Sequence, residues 1–255
     1  MKLNQNLFDC MSPAADGVTI DQITIGIGYT AVSTTAGDVG IAATGIALSG
    51  QCAGKLKVTD FEGHPAPELL GCILSEDVMA RTMALALINA LNQPAVLDLP
   101  EDPDNRRMFD RFGILEGARV AMVGYFPPLV RLLESKKIPL TVIDDAKGIG
   151  DKPEFYRKLE NWADVLLLTA TSILNNSTEA VLAHGSNRLQ AVLLGPSTPM
   201  LPAAFSHLPI HMLAGSAITD GPGTVKIIRH GGGARTLRPV SRKVFQEINT
   251  PSACC

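Results

Sequence analysis

Two polar loops carry the residues best suited to hold a ligand. Thr169, Thr171, Asn175 and Asn176 follow the apolar run 165–168, and Gly195, Ser197 and Thr198 follow the run 190–194. Hydroxyls, carboxamides and free N–H groups in such turns donate hydrogen bonds, which is the chemistry of an anion site. Each loop also has a structural explanation. Asn176 with Glu179 makes a capping-box pattern, and Thr198 before Pro199 is a plain helix start. Two such loops beside one crevice favour a binding site over capping alone. Asp144 and Asp145 end the run 140–143, where a dinucleotide fold carries its ribose-binding carboxylate. The turn Gly124-Tyr125-Phe126-Pro127-Pro128 stands where such a fold carries its glycine-rich loop. Two prolines supply no N–H, so this turn is a poor pyrophosphate cradle, and ordinary NAD binding is disfavoured.

Other chemistries find little support. His207 and His211 are four apart, but Pro209 between them prevents a shared helix face of the zinc-protease kind. His211 reads as a satisfied core histidine on a strand. No nucleophile elbow, P-loop or Cys–His nucleophile arrangement is present. His230-Gly231-Gly232-Gly233 reads as either a lid or a turn, and His64 as a solvated turn residue.

These residues need a scaffold. The run 165–168 is apolar on both faces, short and followed by a helix start, which suits the middle of a parallel sheet. Strands at 119–123, 140–143, 165–168, 190–194 and 210–213 alternate with helices at 129–136, 153–161 and 177–184 and a short helix from 199. A last strand is expected at 224–229. Such alternation predicts a doubly wound parallel sheet, a Rossmann-like α/β fold. With strand order 2-1-3-4-5, the crevice lies between the loops after the first and third strands. Before it, residues 18–48 read as a hairpin across Gly37-Asp38-Val39-Gly40, with little bulk on one face, which permits close packing of a helix or ligand. That helix is expected at 78–91, with Ser75 as N-cap and an apolar stripe through Met83, Leu87 and Leu91. Asn89 lies beside the stripe, where it either satisfies nearby backbone or reaches a ligand. A further strand near 55–61 and a short helix near 67–71 complete a smaller α+β unit. Between 98 and 117 charge, proline and glycine mark a linker with one helical turn near Met108. The expected division is 1–105 and 106–255.

Composition bounds the function. The chain has 255 residues, 46% of them hydrophobic, enough to bury a full core. A net charge of -3 and no long basic cluster argue against nucleic acid. No apolar run reaches membrane-spanning length, and the N-terminus lacks an apolar signal core, so a cytoplasmic location and no membrane partner are expected. Five cysteines without CxxC spacing argue against a disulfide framework or a closed structural zinc site. The adjacent Cys254 and Cys255 offer soft thiolates to a metal, or are two exposed thiols on a tail.

Several of these motifs together resemble a known family. Gly28-Tyr29-Thr30-Ala31-Val32, Ile88-Asn89-Ala90-Leu91, Val123-Gly124-Tyr125-Phe126-Pro127, Thr169-Ala170-Thr171 with Asn175, Gly195-Pro196-Ser197-Thr198-Pro199 and Ala214-Gly215 occur in the order of the two-domain family labelled putative heavy-metal chelation. The resemblance implies an enolase N-terminal-like domain, then a Rossmann-like domain, a site between them, and a homodimer. It leaves the cofactor open, with a metal ion the one candidate. Where the family often has His, this chain has Tyr125, which removes a potential metal ligand.

The expected function is binding of a small anionic metabolite or a metal complex in the interdomain cleft. Asn175, Asn176, Ser197 and Thr198 donate, Phe126 walls the site, and Tyr29 or Asn89 reaches in from the first domain. The alternative is an enzyme acting on a nucleotide-like substrate, with Asp144 or Asp145 on a ribose and Tyr29 as the acid.

Overall fold

The computed structural model describes residues 1–45 and 60–248. Helix α1 (Lys2–Ala15) opens the chain and leads into an antiparallel meander of β1 (Ile20–Ile25), β2 (Tyr29–Thr34) and β3 (Val39–Ala43). The helices α2 (Ala66–Leu70), α3 (Val78–Leu91) and α4 (Gln93–Leu97) follow, then α5 (Arg106–Arg111). The second unit runs β4 (Val120–Val123), α6 (Pro127–Ser135), β5 (Leu140–Ile143), α7 (Lys152–Asn161), β6 (Val165–Thr169), α8 (Thr171–Leu174), α9 (Thr178–Ala183), β7 (Gln190–Leu194), β8 (Ile210–Ile218), α10 (Gly221–Arg229) and β9 (Ser241–Glu247).

The larger sheet has the order β5-β4-β6-β7-β8-β9, parallel except for β9, which runs antiparallel to β8 at the edge. Its first five strands therefore follow the order 2-1-3-4-5. The pleat explains why β6 is apolar throughout. Leu166 and Leu168 join the core that also contains Leu7, Leu85 and Phe205, whereas Val165 and Leu167 join the opposite layer with Met122, Leu133 and Phe109. The first of these cores is continuous across both units.

Several elements differ from the sequence expectation. The run 20–34 is two strands, because Gly26-Ile27-Gly28 turns the chain back on itself, with Gly26 N–H donating to Tyr29 O at 2.9 Å. The N-cap of α3 is Asp77, whose carboxylate accepts from Met79 and Ala80, while Ser75 Oγ accepts from Asp77 N. The segment expected as a last strand at 224–229 is α10. Asp220 caps it, Pro222 sits in its first turn, and Thr224 and Ile228, four apart, form its buried face. The short helix expected from 199 is a 3-10 turn at Pro202–Phe205. Of the strand expected at 55–61, residues 55–59 lie outside the described residues and Asp60 and Phe61 are not in a strand; the end of the run 41–48 also lies outside them. Helix α1 was not anticipated, yet Leu3, Leu7, Met11 and Ala15 all point one way at helical spacing and are buried.

A bulge in β8 fixes the role of His211. Ala191 pairs with Ile210 and Val192 with Met212, so His211 is the extra residue. Its Nδ1 accepts the hydrogen bond of Ala191 N–H at 3.1 Å. Burial and the nearby Arg111 charge hold the imidazole below its ordinary pKa, so the neutral ring is the folded-state form. His211→Ala orphans that N–H and is expected to cost about 1–3 kcal/mol in urea unfolding at about pH 8. In the wild type, a group lowered on folding loses stability as the pH falls below about 6.5, the ordinary histidine value, towards its folded value. His211→Ala should flatten that decline.

Candidate functional site

A cavity of about 340 Å³ opens at the carboxyl ends of β4, β5 and β6. Strand order reverses between β4 and β6, so this is the switch point of the sheet. From the other unit, Ala43, Thr44 and Gly45 at the end of β3 close one side.

Backbone conformation shapes the floor. Gly124 adopts a φ of +85°, and its N–H donates to Ile143 O at 2.8 Å. A Cβ there would come within 3.0 Å of Thr169, so glycine is needed for conformation and space alike. The ring of Phe126 stands against this turn, and Pro127 and Pro128 occupy the first turn of α6 without an N–H to offer. At the end of β6 the hydroxyls of Thr169 and Thr171 bond to each other at 2.9 Å. Asn175 Oδ1 accepts from Ser177 N and Oγ, at 3.2 and 2.6 Å, and among the described residues its Nδ2 has no acceptor. Gly124, Phe126, Ile143, Thr169, Thr171, Asn175 and Ser177 line the cavity.

The acidic side is already neutralised. Asp144, 9% exposed, accepts from Tyr125 N at 2.8 Å, Lys147 N at 3.1 Å and Lys147 Nζ at 2.7 Å. Burial alone would raise its pKa, but the Lys147 and Tyr125 donors outweigh it and the carboxyl is held below its usual range. Asp145 is exposed and faces Lys152 Nζ at 3.5 Å. Lys147 also lies over the Tyr125 ring, 5.9 Å from its centre.

Of the residues expected at the site, Gly124, Phe126, Asp144, Asp145, Thr169, Thr171 and Asn175 line this cavity. The others are placed elsewhere. Ser197, 2% exposed, uses its Oγ to accept from Ala43 N at 2.7 Å. Thr198 donates to Ala214 O, and Asn89 Nδ2 donates to Ile41 O and Ser197 O. Ser197 and Asn89 fasten β3 and α3 to the loop after β7, and Thr198 fastens that loop to β8. Gly195, with a φ of +121°, lies behind Phe126. Asn176 sits at a φ of 58° with its Oδ1 accepting from Asn4 Nδ2. Glu179 makes no capping box; its Oε1 accepts from Leu3 N of α1 and faces His207 Nε2 at 3.3 Å. Tyr29 packs against the cluster of Ala31, Ile41, Ile218 and Ile228 and is not among the described lining residues, and burial pushes its pKa up to about 12. A phenol so placed keeps its proton at neutral pH.

Sequence reasoning missed Thr44, Gly45, Tyr125, Lys147, Lys152, Tyr156 and Ser177 of the lining. Lys147 carried a signal, since it follows Asp144 by three residues. Thr44 and Gly45 carried none, because nothing local says that the end of β3 meets the other sheet.

A family described as "Putative heavy-metal chelation" matches residues 107–247, more than half of the chain. The chain belongs to that family. A second family with the same description matches residues 8–92. An uncharacterised protein of Methanocaldococcus jannaschii is 24% identical over 188 residues, 71% of each chain. The crystal structure of a protein of unknown function from Pyrococcus horikoshii aligns with a TM-score of 0.81 at 21% identity, covering 97% of this chain and all of its own. One from Desulfitobacterium hafniense gives 0.73 at 21% identity, with 95% and 98% covered. At such identities the likeness shows the fold.

The family description raises a metal, and the donors present do not fit a soft one. Thiolate and imidazole are the ligands heavy metals select. Among the described residues the cavity lining has no cysteine or histidine. Among the described residues no group of three or more His, Cys, Asp or Glu is placed to hold an ion. Cys52, Cys254 and Cys255 lie outside the described residues. No helix among the described residues is long and apolar enough to cross a membrane.

Proposed function

We propose that this protein binds a small anionic metabolite or an anionic metal complex in the cavity between its two units, 1–105 and 106–255. One observation carries the reading: a cavity of about 340 Å³ at the switch point of the parallel sheet, closed from the other unit by Thr44 and Gly45. Its walls are the rings of Tyr125, Phe126 and Tyr156. Its polar groups are hydroxyls, the Asn175 amide, two lysines and the carboxylates of Asp144 and Asp145 that pair with them, which suits a ligand with an organic body and an anionic group.

The nucleotide alternative keeps one support. The Asp144 carboxylate already accepts three hydrogen bonds and Tyr29 is not among the described lining residues, which leaves the exposed Asp145, facing Lys152 Nζ at 3.5 Å, as the carboxylate open to a ribose. No residue of the lining is assigned to catalysis.

Asn175→Ala tests the reading. Asn175 is exposed and bonds only to Ser177 among the described residues, so the variant should fold with a near-wild-type Tm. Loss of one donor to an anion is expected to weaken binding about tenfold or more. The measurement is the thermal shift produced by citrate and by other small carboxylates. An undiminished shift in Asn175→Ala contradicts the assignment of the cavity.

A further inference from the structure

A guanidinium behind the cavity bears on what enters it. Arg81 lies on α3 and is 3% exposed. Its Nε donates to Leu174 O at 2.9 Å, its Nη2 donates to the same oxygen, and its Nη1 donates to Ser75 O at 2.6 Å. Leu174 and the following Asn175 line the cavity. No carboxylate among the described residues lies within ion-pair distance of Arg81. Glu76 and Asp77 act on it from further away, but both are exposed and so screened by water. A cation buried without a counter-charge is costly, and its field is little screened towards neighbouring buried space.

The rest of the charge in the lining cancels. Asp144 is paired with Lys147 and Asp145 with Lys152. What remains is the positive charge of Arg81, set behind hydroxyl and amide groups with no soft donor among the described residues of the lining.

We propose that the cavity selects a carboxylate-type organic anion and excludes a bare metal ion, so that a heavy metal enters only inside an anionic chelate that supplies its own ligands. Arg81 provides the selecting charge and holds the Leu174–Asn175 turn in place; it is a positioning residue that does not touch the ligand. The ion is cargo, and the organic shell is what is recognised. The inference rests on the function proposed above and adds the ligand's charge and class.

Isothermal titration of the full chain with nickel chloride, with citrate and with preformed nickel citrate tests it. The protein carries Cys52→Ser, Cys254→Ser and Cys255→Ser, so that thiols outside the described residues do not report. The expected result is binding of citrate or nickel citrate and no nickel chloride binding that Asn175→Ala removes. Tighter binding of nickel citrate than of citrate identifies the loaded chelate as the ligand; equal binding identifies the free anion, and both support the selection. Arg81→Gln should weaken the anion at least tenfold. Arg81→Lys keeps the charge while losing the paired contact to Leu174, and should recover much of the affinity, which a purely structural role would not allow. Thermal unfolding of each variant without ligand verifies that it folds. Nickel chloride binding abolished by Asn175→Ala overturns the inference while leaving the cavity as the site. Anion binding that Asn175→Ala leaves untouched overturns the proposed function itself. No binding of either anion overturns the inference.

Discussion

Replacing Gly40 by alanine is expected to lower the unfolding free energy by about 3 kcal/mol or more. Gly40 lies in β3 where the strand crosses α3, and an added Cβ would overlap the backbone atoms Ala90 N and Ala86 O and come within 2.5 Å of Asn89 C. Helix backbone cannot step aside as a side-chain tip can. The strand must lift off, and with it the pair of hydrogen bonds by which Asn89 ties Ile41 to Ser197 and the bond from Ala43 N to Ser197 Oγ. Because Ala43, Thr44 and Gly45 form one side of the cavity, ligand binding should fall with stability. Gly71→Ala is the control: that position has helical φ, and nothing lies within 4 Å of the added Cβ. Urea denaturation of the two variants should show a large loss for the first and little change or a slight gain for the second.

Asp144→Ala is expected to cost about 1–3 kcal/mol, since it strands the Tyr125 N–H that the carboxylate now satisfies, while the Lys147 N–H keeps its bond to Asp144 O. The same residue makes stability depend on acid. A carboxyl held below its unfolded value stabilises the fold fully above about pH 3.9, and that contribution is lost as the pH falls through its lowered folded value. Asp144→Ala should therefore lose less stability than the wild type over that acid range. The Arg119–Asp164 pair also lowers a carboxyl, but both side chains are well exposed, so its share is small. Equilibrium unfolding between about pH 6 and about pH 3 reads the difference, and parallel curves for the two proteins would contradict the role of Asp144.

The parallel sheet was legible because its signal is physical and redundant. Strand β6 is apolar at every position from Val165 to Leu168 because it faces two cores, and only an inner strand does so. The alternation of strand and helix pointed to the parallel sheet, while the order 2-1-3-4-5 entered only as the condition that places the crevice. Helix α10 was misread because Thr224, Val225, Ile227 and Ile228 favour strands as residue types, whereas the Asp220 cap and the buried pair at helical spacing decide the outcome. The site was half legible. Gly124, Phe126, Thr169, Thr171 and Asn175 line the cavity. Ser197 and Thr198 resemble them in sequence, because a loop of donors at a strand end looks the same whether it meets a ligand or another part of its own chain. Here it meets β3 and β8. Arg81 was unreadable as a selecting charge, since its partner Leu174 O comes from a segment 93 residues away.

The measurement that bears most directly on the cavity is the mass of the purified protein under native and denaturing conditions, with elemental analysis of the same sample, for the wild type and Asn175→Ala. An organic mass in the wild type, with or without accompanying metal, that is absent from Asn175→Ala is the predicted result. Stoichiometric metal without an organic mass, or an organic mass that Asn175→Ala retains in full, would contradict it.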